Sequence, residues 1–139
     1  MDQVKHRLLE KIFITGADGL LGSNTVRVLL ERNYKVKALI QKGSKSRTLV
    51  GLDIEFVEGD LLDKKGLIEQ TKGCDAIIHI AALTNVWPIR HEIYYKVNVD
   101  GTMNLVEAAL ENKTKRFVFI SSASAFGYGQ KSNPGDETT

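Results

Sequence analysis

A doubly wound α/β sheet of parallel strands is the fold class predicted by this sequence, and three observations predict it. Five short apolar runs recur along the 139 residues, at 12–14, 36–40, 54–57, 76–80 and 117–120. Stretches with helical spacing fill three of the four intervals between them. Most of these runs stop at small or polar residues: Thr15-Gly16, Gly59-Asp60, Ala81-Ala82 and Ser121-Ser122. Strands alternating with helices connect as right-handed βαβ units, which gives one parallel sheet of strand order 3-2-1-4-5. Ligands of such sheets bind beyond the carboxyl ends of the strands, near the switch point between strands one and four.

After a polar, mixed-charge lead-in over 1–10, the first strand runs into Thr15-Gly16, with Gly19 and Gly22 following at intervals of three. The next helix has Leu21, Thr25, Val28 and Arg32 on one face, widened by Leu29 and Leu30, and runs out at Asn33-Tyr34. Strand two, 36–40, leads into a polar, basic loop over 41–47. Strand three, 54–57, ends in Glu58-Gly59-Asp60-Leu61, and Asp63 caps a short helix to about Thr71. Strand four, 76–80, is apolar except for His79, as expected of a strand covered on both faces. A long helix from Pro88 or Ile89 to Asn112 packs through Ile93, Val97, Gly101, Leu105 and Ala108. Gly101, costing about 1 kcal/mol against alanine in a helix interior, marks a close backbone approach. Strand five, 117–120, lands on Ser121-Ser122, and the tail over 128–139 reads as loop.

Composition narrows the class. Hydrophobic residues make up 42% and charged residues 26%, as in ordinary globular domains. A net charge of +2 without runs of like charge gives no reason to invoke nucleic acid or an anionic membrane surface. No apolar segment matches a bilayer span or a signal peptide, and the single cysteine, Cys74, excludes an internal disulfide or a cysteine metal cluster. The expected location is cytoplasmic.

The stretch around Gly16, Gly19 and Gly22 has the chemistry of a phosphate cradle. A strand, a glycine turn and a helix start present unpaired backbone N–H groups at the positive end of a helix dipole. One glycine allows the tight turn, one lets the backbone approach a pyrophosphate, and one lets helix and strand pack closely. The N–H groups of Leu20 and Leu21 would meet the pyrophosphate. An acidic residue at the end of strand two, about twenty residues beyond the glycines, would bind a ribose 2′-hydroxyl. Between Arg32 and Leu52 there is none, whereas Lys42, Lys45 and Arg47 are present and suited to a 2′-phosphate. The expected cofactor is therefore NADP, with NAD as the alternative.

Five ordered motifs carry a resemblance across most of the chain: TGADGLLG at 15–22, GDLLD at 59–63, HIAALT at 79–84, NVDGT at 98–102 and ISSASAFG at 120–127. Together they resemble the extended short-chain dehydrogenase/reductases, which include NAD-dependent sugar-nucleotide epimerases and dehydratases. The intervening wording is most similar to the dihydroflavonol-reductase and 3β-hydroxysteroid-dehydrogenase-like branch. The resemblance implies a Rossmann-type domain, truncated after strand five, that takes part in hydride transfer at a C–OH/C=O centre.

The same resemblance implies particular site residues. Asp60 would accept from the adenine amino group, with the Leu61 N–H at the ring; a helix-capping role suits Asp63 better. Ala81, Ala82 and Leu83 would line the path of the pyrophosphate and nicotinamide ribose. His79 reads as a packed core residue rather than a catalyst. Asn98 would either support the catalytic lysine or pack its helix, and Trp87-Pro88 would either line a substrate pocket or seal a loop. Ser122 matches the catalytic serine that hydrogen-bonds the substrate oxygen, against the simpler role of capping the next turn, and Ser121 would face the cofactor.

The family's acid/base is a Tyr-x-x-x-Lys pair on a later helix. Tyr34, Tyr94, Tyr95 and Tyr128 are followed four places on by Ala38, Asn98, Val99 and Ser132, so none fits. The expectation is a cofactor-binding segment that binds nucleotide without turnover and that meets a small-molecule substrate only with a C-terminal lobe. An exposed fifth strand would favour self-association. The alternative is a non-catalytic NAD(P)-sensing module.

Overall fold

A computed structural model describes residues 10–84, 91–126 and 129–138. Trp87, Pro88 and the expected start of the long helix, residues 1–9 of the lead-in, and Gly127 and Tyr128 lie outside the described residues.

Each apolar run forms a strand: β1 (Lys11–Thr15), β2 (Lys35–Ile40), β3 (Glu55–Glu58), β4 (Ala76–His79) and β5 (Arg116–Phe119). All neighbours pair in parallel, in the expected order β3-β2-β1-β4-β5. Strand ends shift by a residue or two from the apolar runs, because ladder hydrogen bonds rather than side-chain polarity set them.

Pleat alternation sorts the strand side chains onto two cores. Ile12, Ile14, Val36 and Ala38 meet Val26 and Leu29 of α1 (Leu20–Glu31) on one face. Phe13, Leu39 and Ile77 face α2 (Lys64–Thr71) and, further along the chain, α4 (Gly101–Glu111) through Leu67, Leu105 and Ala108. Phe13, Ile14, Leu67, Ile77 and Leu105 are fully buried, and each such side chain contributes about 1.5–3 kcal/mol. Asp63 caps α2 as expected, its carboxylate accepting from the Gly66 N–H at 3.0 Å.

Two expectations need correction. The packed face of α1 is Gly22, Ser23, Val26 and Leu29, whereas Leu21 and Val28 are exposed. A Cβ at Gly22 would fall on the carbonyl oxygen of Gly16, so the only face that can press on the sheet is the one bearing this glycine. The long helix is also not uniform. It comprises α3 (His91–Tyr95), a π-helical turn (Lys96–Asp100) and α4, and Ile93 is exposed while Gly101, Leu105 and Ala108 are buried. Gly101 does mark a close approach: a Cβ there would lie 2.9 Å from the Leu61 Cβ.

The amino ends of the strands are fastened by charge. The Asp75 carboxylate accepts from the Glu10 and Lys11 N–H groups at 2.9 and 3.1 Å and pairs with Lys115. The Lys115 hydrogen bond, then those two N–H groups, hold its carboxyl down to about 2. No helix among the described residues is long and apolar enough to cross a membrane.

Candidate functional site

At the opposite, carboxyl end of the sheet a cleft of about 1210 Å³ opens over β1, the switch-point strand. Its floor is the glycine turn. Gly16 has φ +68°, and a Cβ there would stand 2.6 Å from the Ala81 nitrogen. Only glycine fits on both counts. Gly19 is different: it has an ordinary extended conformation, φ −74°, and an added Cβ would meet only the Gly16 oxygen, at 3.4 Å. Neither strain nor packing requires glycine there, and its missing Cβ leaves open space at the start of α1.

Gly19 caps α1 without a side-chain hydrogen bond, and the first turn carries no acidic residue. The Ser23 N–H donates to the Gly19 carbonyl at 2.9 Å, so the N–H groups of Leu20, Leu21 and Gly22 precede it in the first turn, at the positive end of the helix dipole, and all three residues line the cleft. Leu20 is 86% exposed and Leu21 51%, apolar surface at a helix start that a bound molecule would cover. These residues fit a dinucleotide pyrophosphate.

Of the residues expected at the site, Gly16, Gly19, Leu20, Leu21, Gly22, Lys42, Asp60, Leu61, Ala81 and Ala82 line this one cleft. Asp60 is exposed there, and its Oδ1 accepts from the Leu62 N–H at 2.9 Å, a local turn that leaves the other oxygen open. Leu61 is held by α4, through Gly101 and through Asn104 Nδ2, which donates to its carbonyl at 3.0 Å. Lys42 is exposed beside Gly43, whose φ of +76° turns the loop after β2; Lys45 and Arg47 are exposed but do not line the cleft.

Leu83, Asn98, Ser121 and Ser122 are not among the cleft-lining residues. Asn98 and Leu83 clasp each other: the Leu83 N–H donates to Asn98 Oδ1 at 2.7 Å, and Asn98 Nδ2 donates to the Leu83 carbonyl at 3.1 Å. Asn98 thus spends its side-chain amide on the loop after β4, while Lys96 and Val97 of the same π-helical turn line the cleft. Ser121 and Ser122 are exposed beyond β5. The Ser122 Oγ accepts from the Ser124 N–H at 3.2 Å, which is the turn-capping arrangement, and its own proton stays available to donate.

His79 is a core residue, as expected, and its partners explain why. It is 1% exposed, with Nδ1 2.7 Å from Thr15 Oγ1 and Nε2 2.9 Å from Thr102 Oγ1. Thr102 Oγ1 donates to the Asn98 carbonyl at 2.7 Å, so it accepts from His79, which places the imidazole proton on Nε2. Thr15 then donates to Nδ1 and accepts from the Ile80 and Ala81 N–H groups at 3.3 and 3.2 Å. Burial lowers the imidazole to about 4, so it is neutral and closed to proton transfer. The chain of bonds from Asn98 to Thr15 fixes the backbone that forms the cleft wall at Ala81.

Sequence reasoning missed this network and missed Asp18. Asp18 lines the cleft, and its carboxylate accepts from Ser44 Oγ at 3.0 Å. The one available signal was its place inside the glycine turn. Lys96, also on the cleft wall, sits on a helical face that periodicity assigned to packing through Val97.

Among known proteins, the chain is 38% identical over 126 residues to a Synechocystis protein named for dihydroflavonol 4-reductase, with 91% of this chain and 36% of that protein covered. It is 33% identical over 138 residues to the UDP-glucose 4-epimerase uge1 of Schizosaccharomyces pombe, covering 89% of this chain and 38% of that one. The chain therefore spans less than half the length of these relatives. The solved structure of the Thermus thermophilus UDP-glucose 4-epimerase complex with NAD superposes with a TM-score of 0.81 at 27% identity, over 92% of this chain and 43% of that one. The NAD dependent epimerase/dehydratase family model matches residues 12–139, and the chain belongs to that family.

Proposed function

We propose that this chain is the cofactor-binding segment of an oxidoreductase or sugar-nucleotide epimerase/dehydratase acting at a C–OH/C=O centre, and that it holds a nicotinamide dinucleotide in the cleft over β1. The observation that carries this reading is the unoccupied Cβ position of Gly19 beside the N–H groups of Leu20 and Leu21, which precede the Ser23 N–H that closes the first helical turn. When bound, the cofactor supplies reversible hydride transfer. The chain's own part is to bind and to orient. Leu20 and Leu21 receive the pyrophosphate, Asp60 and Leu61 the adenine, and Ala81 and Ala82 leave room for the nicotinamide ribose along the backbone. Lys42 favours NADP by offering a cation to a 2′-phosphate, where the loop after β2 has no acid.

Ser122 is assigned to the substrate oxygen, its hydroxyl proton donating as charge develops there. With no tyrosine followed four places later by lysine, these residues bind a cofactor but supply no acid/base pair. The isolated chain is expected to bind NADPH, and NADH more weakly, without turning over a sugar nucleotide or hydroxysteroid-like substrate. Calorimetric titration with each cofactor, followed by a turnover assay, tests both halves. Absence of binding to either cofactor sinks the reading, and measurable turnover sinks the claim of inactivity.

Self-association belongs to the same proposal. Val118, Phe119 and Ile120 at the β5 edge and Met103 and Leu110 on α4 leave apolar surface exposed, from 38% for Val118 to 72% for Leu110. Light scattering of the purified chain is expected to give a mass above 15.4 kDa, and a monomer at all concentrations would refute it.

A further inference from the structure

Asp18 is a half-buried carboxylate in a turn otherwise built to attract anions. Beside a pyrophosphate its charge is a cost, so its position calls for another explanation. The neighbouring bonds supply one. Ser44 Oγ donates to Asp18 Oδ2 at 3.0 Å, stands 3.2 Å from Ser46 Oγ and accepts from the Ser46 N–H at 3.3 Å. Thr48 Oγ1 donates to the Asp18 carbonyl at 2.8 Å, and Arg27 holds the Thr48 carbonyl at 2.7 Å. A single residue of the glycine turn therefore fastens the loop after β2 at two points. Asp18 Oδ1 has no hydrogen-bond partner among the described residues.

That loop is where sheets of this kind read the ribose 2′ position, ordinarily with an acidic side chain that the loop itself supplies. Residues 33–51 contain none, and the loop's cleft-lining charge is Lys42. Asp18 reaches the same loop from the glycine turn. We propose that Asp18 is a specificity-determining residue for the 2′ position: Oδ1 accepts a hydrogen bond from a 2′-hydroxyl, and the carboxylate's charge disfavours a 2′-phosphate. Cofactor choice is then a difference between two opposed charges, Lys42 on the loop and Asp18 on the turn, kept in register by Ser44. The inference rests on the cofactor reading above. It makes the preference for NADP modest and leaves NAD as a true ligand.

The replacement Asp18→Asn removes the charge and keeps an acceptor for Ser44. Calorimetric titration with NADPH and NADH is expected to show the NADPH preference rising by about tenfold, from tighter NADPH and weaker NADH binding, and the rise shrinking as salt is added. In the unmodified chain, NAD lacking the 2′-hydroxyl is expected to bind about tenfold more weakly than NAD, a measurement that needs no variant to fold. A preference unchanged within about twofold, or equal affinity for NAD and its 2′-deoxy analogue, overturns the assignment of Asp18. If the unmodified chain binds neither cofactor, it is the cofactor reading that has failed.

Discussion

The turns after β1 and β5 leave the same sheet at the same end, yet they are held in different ways. β1 lies at the centre, with four of its five residues buried, and its turn is closed by the Gly19 N–H on the Gly16 carbonyl and by the bonds of Asp18. β5 lies at the edge, with three of its four residues exposed, and the serines beyond it are exposed as well. The Ile120 N–H on the His79 carbonyl is the last rung before them. A cradle must exist before its ligand arrives, because ordering a loop on binding costs affinity. The turn after β1 is preorganised in this sense, and the end of β5 is not.

The sharpest way to break the comparison is at Gly22. An alanine Cβ would collide with the Gly16 carbonyl, a backbone atom that cannot move aside, so Gly22→Ala is expected to cost about 4 kcal/mol in chemical denaturation. A loss below about 1 kcal/mol would mean that the turn is not locked. Next in size is acid. The His79 imidazole lies at about 4 when folded against an ordinary 6.5, so the folded chain binds fewer protons between those values. Its contribution is complete above pH 6.5 and is lost as pH falls toward 4, by on the order of 3 kcal/mol. Asp75, held down to about 2 by Lys115, loses its contribution only below the usual carboxylate range, so the two windows are separable. A denaturant midpoint that stays flat from pH 6.5 to 4 would remove His79 from the network.

Gly19→Ala sharpens the contrast within the cradle. Its Cβ has room, so stability should change by less than about 0.5 kcal/mol. Nucleotide affinity should nonetheless fall about tenfold, because the methyl group takes the place of the pyrophosphate. Equal losses in both measurements would erase the distinction between packing and ligand glycines. The smallest effect belongs to the β5 side. Ser122→Ala removes an exposed cap on the Ser124 N–H and should leave both stability and cofactor affinity within about 0.5 kcal/mol. A large loss of cofactor affinity would place Ser122 in the cradle after all.

Much of this molecule was legible one element at a time. The apolar runs, the three glycines, the Asp63 cap and the residues at the strand ends are local patterns, and a parallel sheet turns strand-end residues into neighbours without further information. Errors arose where one segment's meaning depends on another. Leu21 and Val28 have the same periodicity as a packed face, but the Gly16 carbonyl beneath Gly22 rotates that face away from them. The interruption of the long helix at Lys96–Asp100 left no trace in its spacing, since it serves the distant backbone of Leu83.

By itself, the sequence determined that a five-stranded parallel sheet would form and that a glycine turn opening a helix would sit at its centre. Both follow from short-range chemistry: apolar periodicity, glycine's missing Cβ and the dipole of a helix start. Only the tertiary structure decided which charges share the cradle. Asp18 and Ser44 are 26 residues apart, and Thr15 and His79 are 64 apart. Hydrogen bonds across such separations exist because the packed sheet has already spent the entropy of bringing those segments together, and no local pattern records them.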